Sequence, residues 1–109
     1  MSNPFDRILA RYGTPVEIFR HPGEPGVTAM AMLQPVEERE RQFAPSLLGW
    51  GRQERWLYLG QAEVPLEMEG DGFVRWNGRE FRVYSARKVQ LGRAGSHWWG
   101  MLTPREGDA

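Results

Sequence analysis

The chain has 109 residues, with fourteen basic and fourteen acidic side chains, no cysteine, five Trp, five Phe and three Tyr. This length supports one domain, residues 1–109, with a single small core. The balanced charge excludes the bulk positive field that drives non-specific nucleic-acid binding, and the absence of cysteine excludes a disulfide scaffold. No apolar run approaches the length of a membrane span, so we expect a soluble protein in the cytoplasm where it is made.

The first predicted element is a short amphipathic helix over residues 4–12. Asn3 is a suitable N-cap, and Pro4 suits the first helical position because its missing N–H is not needed there. Gly13 and the following Pro15 end the helix. Four apolar residues share one helical stripe: Phe5, Ile8, Leu9 and Tyr12. We expect this stripe to pack over one opening of a sheet.

Two strands follow, and then an irregular segment. The strands are predicted over residues 16–19 and 27–34, separated by a loop rich in Pro and Gly. Residues 36–53 combine a mixed charge run with apolar residues next to glycines, and show neither helical nor strand periodicity. Loops of this length in small domains are usually functional or disordered. Its apolar residues suggest that a partner covers them.

The second half of the chain alternates strands and turns. A strand over residues 55–59 is predicted to stop at Gly60, and the last strand covers residues 96–102. Residues 103–109 are polar and predict a mobile tail. Five to six short strands with one terminal helix predict a mainly β protein, a small antiparallel barrel of SH3-like or sandwich-like type.

The strongest local signal is the dipeptide Asn77-Gly78 between two alternating runs. It predicts a two-residue type I′ turn, because both central residues need positive φ. This turn fixes the register of the hairpin and places Trp76 opposite Arg79, which could lie over the Trp76 ring. One face collects apolar side chains and the other pairs opposite charges.

The side chains that could act as catalysts or ligands do not form a recognisable catalytic pattern. His21 and His97 are the only histidines and lie in unrelated contexts, so we predict no metal, no cofactor and no catalytic site. Trp98 and Trp99 point to opposite faces of a strand, so one needs a cover from the helix, a loop or a neighbouring subunit. The candidate contacts for DNA or a subunit are Arg87, Lys88, Arg93 and Trp98. A barrel module that binds nucleic acid or peptide stays an open alternative, and an enzyme is the weakest one.

The order of short motifs along the chain is specific. They are Arg11-Tyr12-Gly13, Leu33-Gln34-Pro35, Leu48-Gly49-Trp50-Gly51, Tyr58-Leu59-Gly60, Gly70-Asp71-Gly72-Phe73, Trp76-Asn77-Gly78-Arg79-Glu80-Phe81-Arg82-Val83 and Trp98-Trp99-Gly100-Met101-Leu102. This order resembles the small head-completion, or stopper, proteins at the head-tail junction of tailed bacteriophages and defective prophages. The resemblance covers nearly the whole chain.

The resemblance implies a barrel subunit in a homo-oligomeric ring below the portal and adaptor proteins. Such a ring lines or closes the DNA channel, touches packaged DNA transiently and docks the tail terminator or tail tube. The protein is then expected in the bacterial cytoplasm during assembly and in the neck of the virion, without membrane contact. By position, residues 36–53 correspond to a projecting channel loop, with candidate residues Arg39, Arg41, Gln42, Phe43, Leu47, Leu48, Trp50 and Arg52. Related barrels also serve as tail-completion proteins.

Overall fold

A computed structural model describes residues 4–36, 54–68, 70–90 and 92–105. It confirms the predicted fold: six antiparallel strands form a closed barrel in the order β1-β2-β3-β6-β5-β4, with one helix before the first strand. The elements are α1 Pro4–Tyr12, β1 Thr14–Phe19, β2 Val27–Pro35, β3 Trp56–Gln61, β4 Phe73–Trp76, β5 Arg79–Gln90 and β6 Ser96–Pro104, with a 3-10 turn at Gly92–Ala94 before β6.

The β4–β5 hairpin has the predicted turn and register. Asn77 and Gly78 have φ angles of 50° and 78°, as a type I′ turn requires. Trp76 pairs with Arg79, and Arg75 pairs with Glu80. The guanidinium of Arg79 lies over the ring of Phe81, with 5.2 Å between its Cζ atom and the ring centroid. The turn chemistry therefore sets the register, and with it which side chains of this hairpin share a face.

The barrel interior is filled by side chains from all six strands and from the connection between β3 and β4. The buried members of this core are Val16, Ile18, Ala29, Ala31, Tyr58, Leu66, Val74, Phe81, Trp98 and Leu102. Leu66, which lies in the connection, fills the space over Gly100, where an added Cβ would come within 2.4 Å of its Cδ2 atom. The small barrel is thus a packed core.

Gly60 does not end β3, contrary to the sequence prediction. The strand continues to Gln61, and Gly60 pairs with both Ala31 and Trp98. A Cβ at this position would lie 2.4 Å from the Tyr58 hydroxyl oxygen and 2.6 Å from two of its ring carbons. The glycine is therefore required by close packing against an aromatic ring within the strand, rather than by a turn.

The helix α1 has the predicted bounds but buries less of its stripe than expected. Leu9 is buried, whereas Ile8 and Tyr12 are exposed. Phe5 stacks on His97, with 4.3 Å between the ring centroids, and His97 alternates with the core residue Trp98 along β6. The helix therefore covers His97 near the start of β6. In the described part of the chain, no helix has the length and apolar character needed to cross a membrane.

The final strand reaches further than the sequence indicated. β6 continues through Pro104, so the predicted polar tail does not begin at Thr103. Arg105 follows, and its guanidinium contacts the Glu80 carboxylate at 2.7 Å and lies 4.3 Å above the Phe73 ring centroid. The Arg105 backbone N–H also donates to the carbonyl of Glu80. The chain is thereby tied to β5 up to residue 105.

Candidate functional site at one end of the barrel

The residues on either side of the 37–53 segment are paired with each other. Pro35 of β2 pairs with Trp56 of β3, and the Val36 N–H donates to the Arg55 carbonyl at 3.0 Å. The chain therefore leaves and re-enters the barrel wall at adjacent positions, which we call the segment base, residues 35–36 and 54–56. The predicted channel-loop residues lie outside the described residues: Arg39, Arg41, Gln42, Phe43, Leu47, Leu48, Trp50 and Arg52.

Glu54 ties the segment base to the central hairpin. Its carboxylate accepts a hydrogen bond from Trp56 Nε1 at 2.9 Å and from both terminal nitrogens of Arg79 at 3.3 Å. The hydrogen bond from Trp56 and then those from Arg79 lower the pKa of Glu54 below its ordinary value. The carboxylate thus links the start of β3 to the start of β5 at the same end of the barrel.

An aromatic cluster lies beneath this carboxylate. Trp56 packs edge-on against Trp76 and Phe81, with ring centroids 5.5 and 5.8 Å away. Phe81 is fully buried, and both tryptophans are partly buried against the core. Such edge-to-face contacts add about 0.5–1.5 kcal/mol beyond the burial of area. The segment base therefore rests on a rigid platform.

Tyr84 is the most exposed aromatic ring near this end. The pairing of β5 with β6 shifts between Val83 and Ser85, so Tyr84 occupies a bulge. Its side chain is 65% exposed, and the Arg55 guanidinium lies 5.7 Å from the ring centroid. A residue of the segment base thus covers part of an outward-facing ring.

The structure separates the four candidate contact residues, which lie on β5, the 3-10 turn and β6. Arg87, Lys88 and Arg93 are exposed. Trp98 is buried at 7% exposure in the barrel core, so it is not a surface contact. Its neighbour Trp99 is the outward ring, and the Arg87 guanidinium lies 5.0 Å from the Trp99 centroid. Burial of Trp98 in the core therefore leaves the surface position to the second tryptophan of the pair.

The two histidines do not come together in a reactive site. His97 is buried beneath Phe5, and burial lowers its pKa. His21 lies in the connection between β1 and β2. Among the described residues, no group of three or more His, Asp and Glu side chains is placed to hold a metal ion. The arrangement at this end of the barrel is suited to binding and to positioning a chain segment.

Sequence analysis missed Glu54 and Arg55 as parts of the site. Glu54 and Arg79 are 25 residues apart, and no local pattern links them. The sequence contained one signal. Glu54 comes just before an apolar strand and Arg79 comes directly after a hairpin turn, so the two can pair if both lie at the same end of the barrel. The contact between Arg55 and Tyr84 depends on the bulge in β5, which alternation does not reveal.

Comparison with known proteins identifies no relative. No family model matches the chain, and no curated protein or solved structure matches it significantly. The relation to phage neck proteins therefore stays a prediction from the sequence motifs.

Proposed function

We propose that the protein is a structural connector of the neck of a tailed bacteriophage or defective prophage, a head-completion (stopper) protein. In this role it forms a ring below the portal and adaptor proteins, lines or closes the DNA channel and docks the tail. The observation that carries the proposal is the anchored base of residues 37–53 on a barrel that is already closed. The order of motifs in the sequence is the reason for proposing this family.

The closed barrel does not need residues 37–53 to complete its wall. All six strands are paired on both sides for part of their length, so the wall is complete without that segment. The bond between Val36 and Arg55 joins the two ends of the segment, and the contacts of Glu54 with Arg79 tie the second end to β5. A ring of such subunits would present one segment per subunit at the same height, which is the arrangement that a channel closure needs.

The outer side of the wall offers a surface for subunit contacts. Leu57 pairs with Met101, and Leu59 pairs with Trp99. These four residues alternate with the core residues Tyr58, Gly100 and Leu102, so they face outward, and all four are only partly buried. Strands that are apolar on both faces are typical of walls covered on both sides. We assign this outer apolar strip to the interface between neighbouring subunits.

Electron microscopy tests the proposal. The purified protein, alone and mixed with a portal-adaptor complex, is expected to form rings or a bound lower tier. Leu57→Glu is expected to abolish ring formation, because it puts a charge in the outer apolar strip. Val27→Glu is the matched control, since Val27 is an exposed apolar residue at the start of β2. A protein that stays monomeric and binds neither neck neighbour would exclude the connector.

The same experiment separates the two levels of the neck. A head-completion protein binds the portal-adaptor complex, whereas a tail-completion protein binds the tail tube without it. Mixing the protein with each assembly in turn assigns the level. In either case the protein would be found in the host cytoplasm during assembly and in the virion afterwards.

A further inference from the structure

Charge is distributed unevenly along this neutral chain. Residues 81–105 contain five of the fourteen basic side chains and none of the fourteen acidic ones. This stretch covers nearly all of β5, the turn that follows and the whole of β6. An overall net charge of zero therefore conceals a basic region that carries about a third of the positive charge of the protein.

Most of these basic side chains have no carboxylate partner. Arg105 is the exception, because Glu80 holds it at 2.7 Å. Arg82, Lys88 and Arg93 are exposed and form no ion pair within the part of the chain that the structure describes. Arg87 stacks on Trp99 and is likewise without an ion pair there. We call these four residues, Arg82, Arg87, Lys88 and Arg93, the basic arm.

The strand geometry places Arg82 and Arg87 on the outer face of β5, opposite Thr103 and Trp99, and Lys88 on the other face, opposite Trp98, while Arg93 lies in the turn that follows. β4 pairs with β5 only as far as Phe81, so the rest of β5 is paired on one side by β6. From Arg82 to Lys88 the strand rises by roughly 20 Å, at about 3.3 Å per residue. The exposed ring of Tyr84 lies between them, with Arg55 beside it. Cations and an accessible aromatic ring therefore alternate along the strand.

Protection of a free strand edge explains only part of this pattern. Exposed edges often carry Lys or Arg and a bulge, which discourages pairing with other strands. Beyond Glu80, however, β5 has no acidic residue, so its positive charge is not balanced within the strand. Arg87 also stacks on Trp99 on the outer face, a contact that protection of the edge does not require. Uncompensated positive charge interleaved with aromatic rings is the composition that binds nucleic-acid backbones.

We propose that the basic arm binds the phosphate backbone of nucleic acid, and that the Tyr84 ring stacks on an unpaired base. The four cations supply the phosphate contacts, and Arg55 holds the ring of Tyr84 beside them. The inference rests on charge and exposure, and it does not depend on ring assembly or on the connector function. A monomeric protein would bind nucleic acid in the same way.

Fluorescence anisotropy with labelled 30-nucleotide single-stranded and duplex DNA tests the proposal across 50–200 mM salt. Four phosphate contacts predict slopes of log affinity against log salt of about −3.6 for duplex and −2.8 for single strands. These slopes correspond to losses of about 150-fold and 50-fold over that range. The double variant Lys88→Glu and Arg93→Glu, which keeps the stack of Arg87 on Trp99, is expected to reduce the slope by about 2 and the affinity at 50 mM more than tenfold.

The matched control is the double variant Arg7→Glu and Arg20→Glu, which makes the same change in net charge at exposed residues outside the basic arm. It is expected to change the affinity less than threefold. Equal losses in the two double variants, or no binding of wild-type protein to either DNA at 50 mM salt, would overturn the proposal. Displacement of DNA by poly-glutamate at equal charge concentration would also overturn it, because the partner would then be an acidic protein.

The stacking role of Tyr84 has its own readout. Tyr84→Ala is expected to weaken binding of single-stranded DNA about tenfold and to leave duplex binding unchanged, because only an unpaired base can stack on the ring. An equal effect on both DNA forms, or no effect on either, would remove Tyr84 from the site. Circular dichroism and thermal unfolding establish that each variant is folded.

Discussion

Glu54 and Arg79 form a bidentate ion pair, 3.3 Å between nitrogen and oxygen in each contact, across 25 residues of sequence. Arg79 is the first residue after the turn of the central hairpin, and Glu54 is the residue at which the chain re-enters the barrel after the 37–53 segment. The pair therefore links the central hairpin to the residue that follows the 37–53 segment. It also shares its carboxylate with Trp56 Nε1.

Glu54→Gln is expected to lower the free energy of unfolding at pH 7 by less than about 1 kcal/mol, because both partners of the ion pair are nearly half exposed. The folded state lowers the pKa of Glu54, so this stabilisation is present above the unfolded-state value of 4.5 and is lost as pH falls through the folded-state pKa. The difference between wild type and variant should therefore shrink from pH 7 to pH 3. Urea unfolding followed by Trp fluorescence measures it.

The control for this variant is Glu67→Gln. Glu67 is exposed and forms no ion pair with the other described residues, so its substitution should change the stability by less than about 0.5 kcal/mol at both pH values. A difference between wild type and Glu54→Gln that grows towards pH 3 would contradict the contacts assigned to Glu54.

Tyr58→Phe is expected to leave the protein as stable as wild type or more stable by up to about 1 kcal/mol at pH 7. The Tyr58 hydroxyl is buried and has no hydrogen-bond partner among the described residues, so its removal eliminates an unsatisfied polar group. Burial also raises the pKa of Tyr58 above its ordinary value of 10.0. Wild-type stability should therefore fall as pH rises above 10, because the unfolded state ionises first.

Urea unfolding at pH 7, 10 and 11 compares Tyr58→Phe with wild type, and Tyr12→Phe is the control because Tyr12 is 68% exposed. The advantage of Tyr58→Phe should increase with pH, whereas Tyr12→Phe should follow wild type. A loss of more than about 1 kcal/mol in Tyr58→Phe at pH 7 would show that the hydroxyl has a bonding partner.

Gly60→Ala is expected to destabilise the barrel by about 1–3 kcal/mol, because the new methyl group would overlap the ring of Tyr58 inside a packed core. Gly23→Ala is the matched control: nothing lies within 4 Å of an added Cβ there, and the change should alter the stability by less than about 1 kcal/mol. Thermal unfolding of both variants gives the comparison. Equal stability of the two would mean that Tyr58 can move away from Gly60 at no cost.

Arg105→Ala is expected to cost about 1–2 kcal/mol, because it removes both the contact with Glu80 and the guanidinium over the Phe73 ring. Arg105→Lys should recover less than half of the loss, since an ammonium keeps the charge but lacks the planar stacking surface. Arg82→Ala, at an exposed residue without an ion pair in the described region, should stay within about 0.5 kcal/mol of wild type. Equal unfolding midpoints for Arg105→Ala and Arg82→Ala in urea would show that Arg105 does not hold the end of β6.

Local chemistry determined the parts of this protein whose geometry depends on neighbours in sequence. Asn77-Gly78 determined the turn and the register of the hairpin, because positive φ at two successive positions leaves one turn type. Pro4 and Gly13 similarly bound the helix. Strand alternation predicted that Trp98 and Trp99 face opposite sides of the sheet. It does not say which of the two faces the core.

Only the tertiary structure decided which of these two tryptophans faces the core, that Gly60 lies within a strand under Tyr58, and that Glu54 meets Arg79. Each of these depends on contacts between residues that closure of the barrel brings together from distant parts of the chain. A sequence pattern reports how a residue fits its neighbours along the chain, and several arrangements satisfy it. Closure of the barrel leaves one of these arrangements, because all strands must pack their side chains into the same core.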